Sequence, residues 1–230
     1  CLVGSEMCIR DRAFQIIKQV LFAVKEVHEA GFLHLDIQDG NVFIKGSLSA
    51  EDNLVSLVDF GAARPVCEDG LCPVIRDRAL FSTMGFESPE IVGHNDGTLR
   101  LGAEADLYSV GYLLLLMLTG KRYTQRELDS ANIGLYLSKR KLKKLNCPAH
   151  MADKVHQIIS KALKKTPEER YHSCEEMLAD VSDLIHALQP YKSDLSQVVY
   201  DAFICYRHGE TDSQAAKILQ QKLEHFHICL

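Results

Sequence analysis

The first part of the chain has apolar residues at helical spacing, followed by a glycine. Spacings of three and four residues place these side chains on one face of an amphipathic helix. The residues that share this face are Ile17, Leu21, Val24 and Val27. The pattern predicts a helix that begins near Phe14 and ends at Gly31.

Two short apolar runs come next, and longer apolar stretches fill the middle of the chain. The runs NVFI (residues 41–44) and LVSLVDF (residues 54–60) are separated by turn-forming residues, which predicts a β-hairpin. Residues 104–119 are almost entirely apolar, and a helix that is apolar on all sides belongs at the centre of a domain. The pattern predicts further helices over residues 151–164 and 173–188.

After residue 188 the pattern indicates a new domain. Pro190 ends the preceding helix, and the polar residues around it predict a linker over residues 189–197. The stretch VVYDAFICYR then predicts a buried strand from Val198 to Tyr206. The stretch TDSQAAKILQQKLEHF predicts a capped helix after that strand.

The two ends of the chain carry signals of their own. The chain opens with CLVGSEMCIRDR and no initiator methionine, and this string resembles translated read-through of a sequencing adapter. We therefore expect residues 1–12 to be a sequencing or assembly artefact. The chain stops at HFHICL, within an apolar run, so we expect the last domain to be cut short.

The composition is that of a globular protein. The 230 residues are 47% hydrophobic and 25% charged, and the formal net charge of −5 gives no reason to expect binding to nucleic acid or a membrane surface. The most apolar run, at residues 111–120, is shorter than the ~20 residues that cross a bilayer. The eight cysteines lack the C-x-x-C pairs of a zinc site and the pattern of a disulfide framework. We therefore expect a cytoplasmic protein.

Candidate chemistry lies at both ends of the predicted hairpin. His34, Asp36 and Asn41 occupy a short polar turn between apolar segments, and Asp59 follows the second strand. Because a hairpin brings its two ends together, Asp36, Asn41 and Asp59 should converge. Two carboxylates and an amide oxygen suit a hard divalent cation, magnesium more readily than zinc. The alternative is that each Asp caps its own turn, which is the better explanation for one Asp but not for all of them in this order.

Five stretches resemble the motifs of eukaryotic-type protein kinases in the order of that family. HLDIQDGN resembles the catalytic loop H-R-D-L-x-x-x-N, and DFG the magnesium-binding turn. The others are STMGFESPE, EADLYSVGYLLLLMLTG and ALKKTPEERYHSCEEML. The resemblance covers residues 13–188 and implies the C-terminal lobe of a kinase: a mainly α fold with small β-hairpins. The Gly-rich loop and the phosphate-binding Lys of the family belong to an N-terminal lobe, which we expect this fragment to lack.

The resemblance implies a set of site residues and two cofactors, ATP and Mg²⁺. Asp36 would be the catalytic base, and Asn41 and Asp59 would bind the metal and nucleotide. Thr83 lies where serine/threonine-selective kinases have a threonine that meets the catalytic Asp. Gln38 stands where such kinases have a Lys that neutralises the transferred phosphate.

The resemblance also implies structural roles. His34 would pack beneath the catalytic loop, which is also the usual role of a lone His. Glu90 and Arg170 would form a buried ion pair that ties the activation segment to the last helices. The alternative for this pair is two unrelated surface charges.

Three positions depart from the family pattern. Leu35 replaces the Arg that receives an activation-loop phosphate, so control by such a phosphate is in doubt. Gln38 carries no charge, so we expect weaker stabilisation of the transition state. Asp39 replaces a Pro and adds an acid near a polyanionic substrate. These departures favour a weak kinase or a pseudokinase, whereas the retained Asp36 and its two companions favour catalysis.

The last residues resemble the start of a TIR (Toll/interleukin receptor) domain. The stretch YDAFICY resembles the Y-D-x-F-I-S-Y pattern of the first TIR strand, so residues 198–230 would be the beginning of a truncated α/β domain with a parallel sheet. The alternative is a final strand and helix of the kinase lobe. Some TIR domains hydrolyse NAD and others only assemble with TIR partners, and the deciding region lies outside these residues.

The two resemblances together imply an ATP-dependent serine/threonine kinase of a signalling or defence protein, acting on a protein substrate and fused to a TIR domain. The alternative is a non-catalytic pseudokinase scaffold that relays a signal to the TIR domain. Residues 1–230 alone are expected to be inactive, because the resemblance places half of the nucleotide site in the missing lobe.

Overall fold

The computed structural model describes residues 3–45, 55–75, 85–93, 98–130, 149–188, 202–203 and 228–229. The first helix, α1, spans Val3–Glu29, and Gly31 after it has a φ of 81°. The predicted end of this helix is confirmed. Its start lies earlier than predicted, because α1 continues through the residues expected to be an artefact.

Helix α3 (Ala103–Thr119) forms the centre of the fold, as its apolar sequence predicts. Its side chains are buried on every side, and α1 and α5 (Ala149–Ala162) pack against it. Helix α6 (Cys174–Leu188) packs mainly against α1. Among the described residues, shorter helices are α2 (Pro89–Gly93) and α4 (Gln125–Ser130).

Two antiparallel strand pairs hold the segments around the predicted turn. The predicted hairpin is confirmed: β2 (Val42–Ile44) pairs with β3 (Val55–Leu57), with Val42 opposite Leu57. Strand β1 (Phe32–Leu33) pairs with β4 (Arg64–Pro65), so the two segments that flank the hairpin also lie side by side.

A third antiparallel pair was not predicted from the sequence. Strand β5 (Cys72–Ile75) pairs with β6 (Thr98–Leu101), and Cys72 lies opposite Leu101. We call this pair the β5–β6 ribbon. It joins the segment after β4 to the residues immediately before α3.

The C-terminal residues form a short parallel pair, in which β7 (Ala202–Phe203) lies beside β8 (Ile228–Cys229). Strand β7 falls within the predicted strand from Val198 to Tyr206. The predicted linker and the predicted helix lie outside the described residues. Within the described ranges, no helix combines the length and the apolar character needed to span a membrane.

Candidate active site

The carboxylate of Asp36 is held from both sides by amide donors. Gln38 Nε2 donates to Asp36 Oδ1 at 2.8 Å, and Asn41 Nδ2 donates to Asp36 Oδ2 at 2.9 Å. The same Asn41 amide also donates to the backbone carbonyl of Asp36, at 2.9 Å. Asp36 is partly exposed, and these contacts fix the direction of its carboxylate.

The backbone of this turn is anchored by a buried carboxylate on α3. Asp106 is fully buried, and its two oxygens accept the backbone N–H groups of His34 and Leu35, each at 2.8 Å. His28 Nε2 lies 2.8 Å from the same carboxylate. Sequence reasoning missed Asp106, although a carboxylate in a mostly apolar helix needs partners when it is buried, and this was the available signal.

Leu35, directly before Asp36, has a left-handed backbone with φ of 61°. This conformation costs a residue other than glycine about 1–2 kcal/mol. A hydrogen bond to a charged group contributes about 1.5–3 kcal/mol, so the bond from Leu35 N–H to Asp106 can offset the strain.

The hairpin brings the second predicted carboxylate to the same end. Val58 N–H donates to the Asn41 carbonyl at 3.0 Å, which places Asp59 one residue beyond this contact. Asp59 is exposed, has a φ of 63°, and its Oδ1 accepts the Gly61 N–H at 3.2 Å. Asn41 therefore contacts Asp36 directly, and Asp59 follows the strand that pairs with the residues after Asn41, while convergence of all three side chains on one cation stays a prediction.

The oxygen atoms at this end of the hairpin fit a hard cation. Asn41 uses its amide nitrogen toward Asp36, which leaves its Oδ1 as an acceptor, and Asp59 adds a carboxylate. In the described ranges, no three or more His, Cys, Asp or Glu side chains are grouped in a way that could hold a metal ion. Carboxylate and amide oxygens are ligands that suit a hard cation such as Mg²⁺.

His34 has the predicted position beneath the loop. The side chain is fully buried, its Nδ1 accepts the Asp36 N–H at 3.3 Å, and its ring centroid lies 4.9 Å from that of Phe60. His34 therefore connects the turn that carries Asp36 to the turn that begins with Asp59.

The charge of Asp39 is balanced by a neighbour that sequence reasoning missed. Arg122 Nη2 lies 2.7 Å from both carboxylate oxygens of Asp39. The guanidinium also lies 5.4 Å from the ring centroid of Phe86. Asp39 is therefore not an uncompensated acid facing a polyanionic substrate.

Glu90 and Arg170 form the ion pair that the sequence predicts. Arg170 Nη1 and Nη2 donate to the two Glu90 oxygens at 2.8 and 2.6 Å, and the Arg170 side chain is completely buried. Arg170 Nε also donates to the Lys164 carbonyl at 2.7 Å. The alternative of two unrelated surface charges is wrong.

The wall opposite Asp36 is formed by the segment that precedes α2. Ser109 Oγ on α3 donates to the Phe86 carbonyl at 2.7 Å, and Gln125 Nε2 donates to the Glu87 carbonyl at 2.9 Å. A small cavity lies between this segment and the turn, and it is lined by Leu35, Asp36, Ile37, Phe86, Glu87, Ile91, Ala105 and Ser109. Thr83, the remaining predicted site residue, lies outside the described residues.

The loop that carries Arg122 is fixed by two local contacts. Tyr112 Oη donates to the Tyr123 carbonyl at 2.6 Å, and burial raises the pKa of this phenol. Glu127 accepts the Thr124 N–H at 2.8 Å, while the Thr124 hydroxyl accepts the Glu127 N–H, which forms a capping box at the start of α4. The Thr124 N–H, followed by the Lys121 ammonium, lowers the pKa of Glu127 to about 2.

Comparison with known proteins gives a consistent result. The sequence model described as "protein kinase domain" matches residues 4–181. The chain is 28% identical over 191 residues to the serine/threonine-protein kinase PknB of Mycolicibacterium smegmatis, covering 83% of this chain and 28% of that protein. It is 30% identical over 166 residues to the serine/threonine-protein kinase PLK4 of Drosophila grimshawi, covering 72% of this chain and 19% of that protein. The chain thus spans only 19% to 28% of the length of these relatives.

Proposed function

The chain belongs to the protein kinase family, and we propose that the protein containing it is a serine/threonine kinase that transfers the γ-phosphoryl group of ATP to a hydroxyl of a protein substrate. The family implies the use of ATP and a divalent metal ion. The observation that carries the proposal is the Asp36 carboxylate, which is oriented by the side-chain amides of Gln38 and Asn41. The relatives named as serine/threonine kinases support the choice of hydroxyl.

The proposed roles follow from the atoms that each side chain presents. Asp36 accepts a hydrogen bond from the substrate hydroxyl and directs its oxygen toward the phosphate, because both carboxylate oxygens are already fixed. Asn41 Oδ1 and the Asp59 carboxylate would hold Mg²⁺, which neutralises phosphate charge when it is bound. Thr83 is proposed to meet Asp36, as its place in the sequence predicts.

Gln38 is the residue that favours the alternative function, a pseudokinase scaffold that does not transfer phosphate. Its amide donates to Asp36, so it positions the base without supplying a positive charge. A pseudokinase scaffold that binds nucleotide or partners would keep this arrangement without transferring phosphate. Phosphoryl transfer depends on neutralising the charge on the phosphate, so loss of one cation favours slow turnover.

We further propose that residues 198–230 begin a TIR domain, which would couple the kinase to TIR partners in a cytoplasmic signalling or defence protein. The parallel pairing of Ala202 with Ile228 supports this proposal. Parallel neighbours need a crossover connection of a dozen or more residues, and the predicted helix between these strands would supply one. Residues 1–230 alone are proposed to be inactive, because they contain no Gly-rich loop to cover the phosphates.

The test is Asp36→Asn in the full-length protein. We expect loss of phosphate transfer to a protein substrate with an unchanged unfolding curve, because the substitution removes the base and keeps the side-chain volume. Asp183→Asn, at an exposed position on α6, is the matched control and should retain wild-type activity. Equal activity in the Asp36 variant would disprove the assigned role. A wild-type protein that binds ATP and Mg²⁺ but phosphorylates neither itself nor generic substrates would favour the scaffold.

A further inference from the structure

A second apolar cluster, separate from the main core, lies beside Asp36. Its buried members are Leu33, Cys72, Leu101 and Ala105, and its partly buried members are Leu35, Val66, Ile91 and Leu99. We call this group the Leu35 cluster. It joins β1, both strands of the β5–β6 ribbon, α2 and the start of α3.

Leu35 is the member that connects this cluster to the reacting group. Its left-handed backbone is unfavourable for a leucine, so contacts on both the backbone and the side chain must hold it. The backbone N–H donates to Asp106, and the side chain packs into the Leu35 cluster. Asp36 is the next residue, so its direction depends on how Leu35 is held.

The cluster also reaches the space in front of Asp36. Leu35, Ile91 and Ala105 belong to the Leu35 cluster and line the cavity that Asp36 lines as well. The ribbon fixes the far side of the cluster through paired residues such as Cys72 with Leu101. Packed apolar groups transmit displacement because the interior leaves few voids. A shift of the ribbon would therefore move Leu35, and with it the base.

We propose that Leu35 is a positioning residue for Asp36 and that the β5–β6 ribbon sets the geometry of the base through the Leu35 cluster. This inference rests on the proposed phosphoryl transfer. In this arrangement apolar packing couples the turn that carries Asp36 to the segment after β4. Leu35 thus takes the place of the Arg that, in the family pattern, receives an activation-loop phosphate.

The kinetic test compares substitutions within the cluster in the full-length protein. We expect Leu35→Ala and Leu99→Ala to lower kcat by about tenfold or more while the KM for ATP stays within about twofold, because misplacement of a catalytic group by about 1 Å can cost a hundredfold. Leu35→Met keeps an apolar side chain of similar volume and should restore most of the activity. Leu116→Ala, which truncates a partly buried leucine of the main core, is the matched control and should leave kcat unchanged.

The second test follows amide hydrogen exchange and does not depend on activity. Leu99→Ala should speed exchange of the His34 and Leu35 amides, which donate to Asp106, whereas Leu116→Ala should not. Unchanged exchange and unchanged kcat in Leu99→Ala would overturn the inference. If Leu99→Ala fails to fold, equal kcat for Leu35→Ala and Leu35→Met overturns it instead. A wild-type protein without phosphate transfer refutes the proposed function, and the exchange result then decides the coupling by itself.

Discussion

At the scale of single residues, the candidate site depends on neutral donors. Gln38 and Asn41 fix Asp36 through amide hydrogen bonds, and the buried Asp106 fixes the backbone behind it. The polar residues of the turn could be predicted because their spacing within the sequence is short. For Asp106 the sequence indicates only that a buried carboxylate needs partners, because His34 lies 72 residues away and only the packing of α3 against the turn joins them.

The neutral side chain of Gln38 gives the first prediction at this scale. Gln38→Lys should raise kcat of the full-length protein by about tenfold to a hundredfold, because one preorganised contact to developing charge has an effect of that size. The new ammonium can contact Asp36 and still carry a positive charge toward the phosphate. Steady-state kinetics with a peptide substrate measure the change. Gln157→Lys, at an exposed position on α5, adds the same charge elsewhere and should have no effect.

The buried pair of Glu90 and Arg170 gives the second prediction. Arg170→Met should lower the free energy of unfolding by about 3–5 kcal/mol, because it leaves the Glu90 carboxylate without its partner. A double-mutant cycle with Glu90→Gln, measured by urea unfolding, isolates the pair. The exposed pair of Lys164 and Glu169, 3.8 Å apart, should show a coupling of only about 0–1 kcal/mol. Equal coupling for both pairs would contradict the prediction.

At the scale of elements, helical periodicity predicted most of the fold and strand pairing was harder to predict. The helices α1, α3, α5 and α6 follow apolar patterns that each segment carries by itself. The β5–β6 ribbon was missed because Pro73 interrupts one short strand and its partner lies beyond α2. Such pairing depends on contacts between distant segments, which local patterns do not record.

The crossing of α3 and α5 gives the prediction at the element scale. Gly111 lies so close to Ala162 that an added Cβ would overlap the alanine methyl group. Gly→Ala normally stabilises a helix by roughly 1 kcal/mol, but here the overlap should reverse the sign and cost about 1–3 kcal/mol. Urea unfolding measures the effect. Combining Gly111→Ala with Ala162→Gly should recover part of the loss, whereas additive losses would show that the two helices adjust independently.

At the scale of the whole molecule, the main core and the Leu35 cluster form two apolar groups, and the turn with Asp36 lies between them. The family could be predicted from the order of the kinase motifs in the sequence, and the match over residues 4–181 confirms it. The division into two clusters could not, because Leu33, Leu99 and Leu101 carry no signal that separates them from other leucines. Only the ribbon places them together.

The two clusters should differ in how often they open, and cysteine labelling can measure this. Cys67 is exposed, Cys72 is buried in the Leu35 cluster and Cys174 is buried in the main core. Burial raises the pKa of Cys72, and it raises the pKa of Cys174 to about 12, so both native thiols hold little reactive thiolate near neutral pH.

We expect alkylation in native buffer, followed by peptide mass spectrometry, to modify Cys67 first, then Cys72, and Cys174 last. Opening of the short β5–β6 ribbon exposes Cys72. Cys174 becomes exposed only when α6 separates from α1, and the free energy of that opening is close to the free energy of global unfolding. Folded domains favour the native state by about 10³ or more, so Cys174 should react slower than Cys67 by at least that factor. In denaturant the three rates should become similar, and native labelling of Cys72 and Cys174 at one common rate would show instead that both clusters open in a single step.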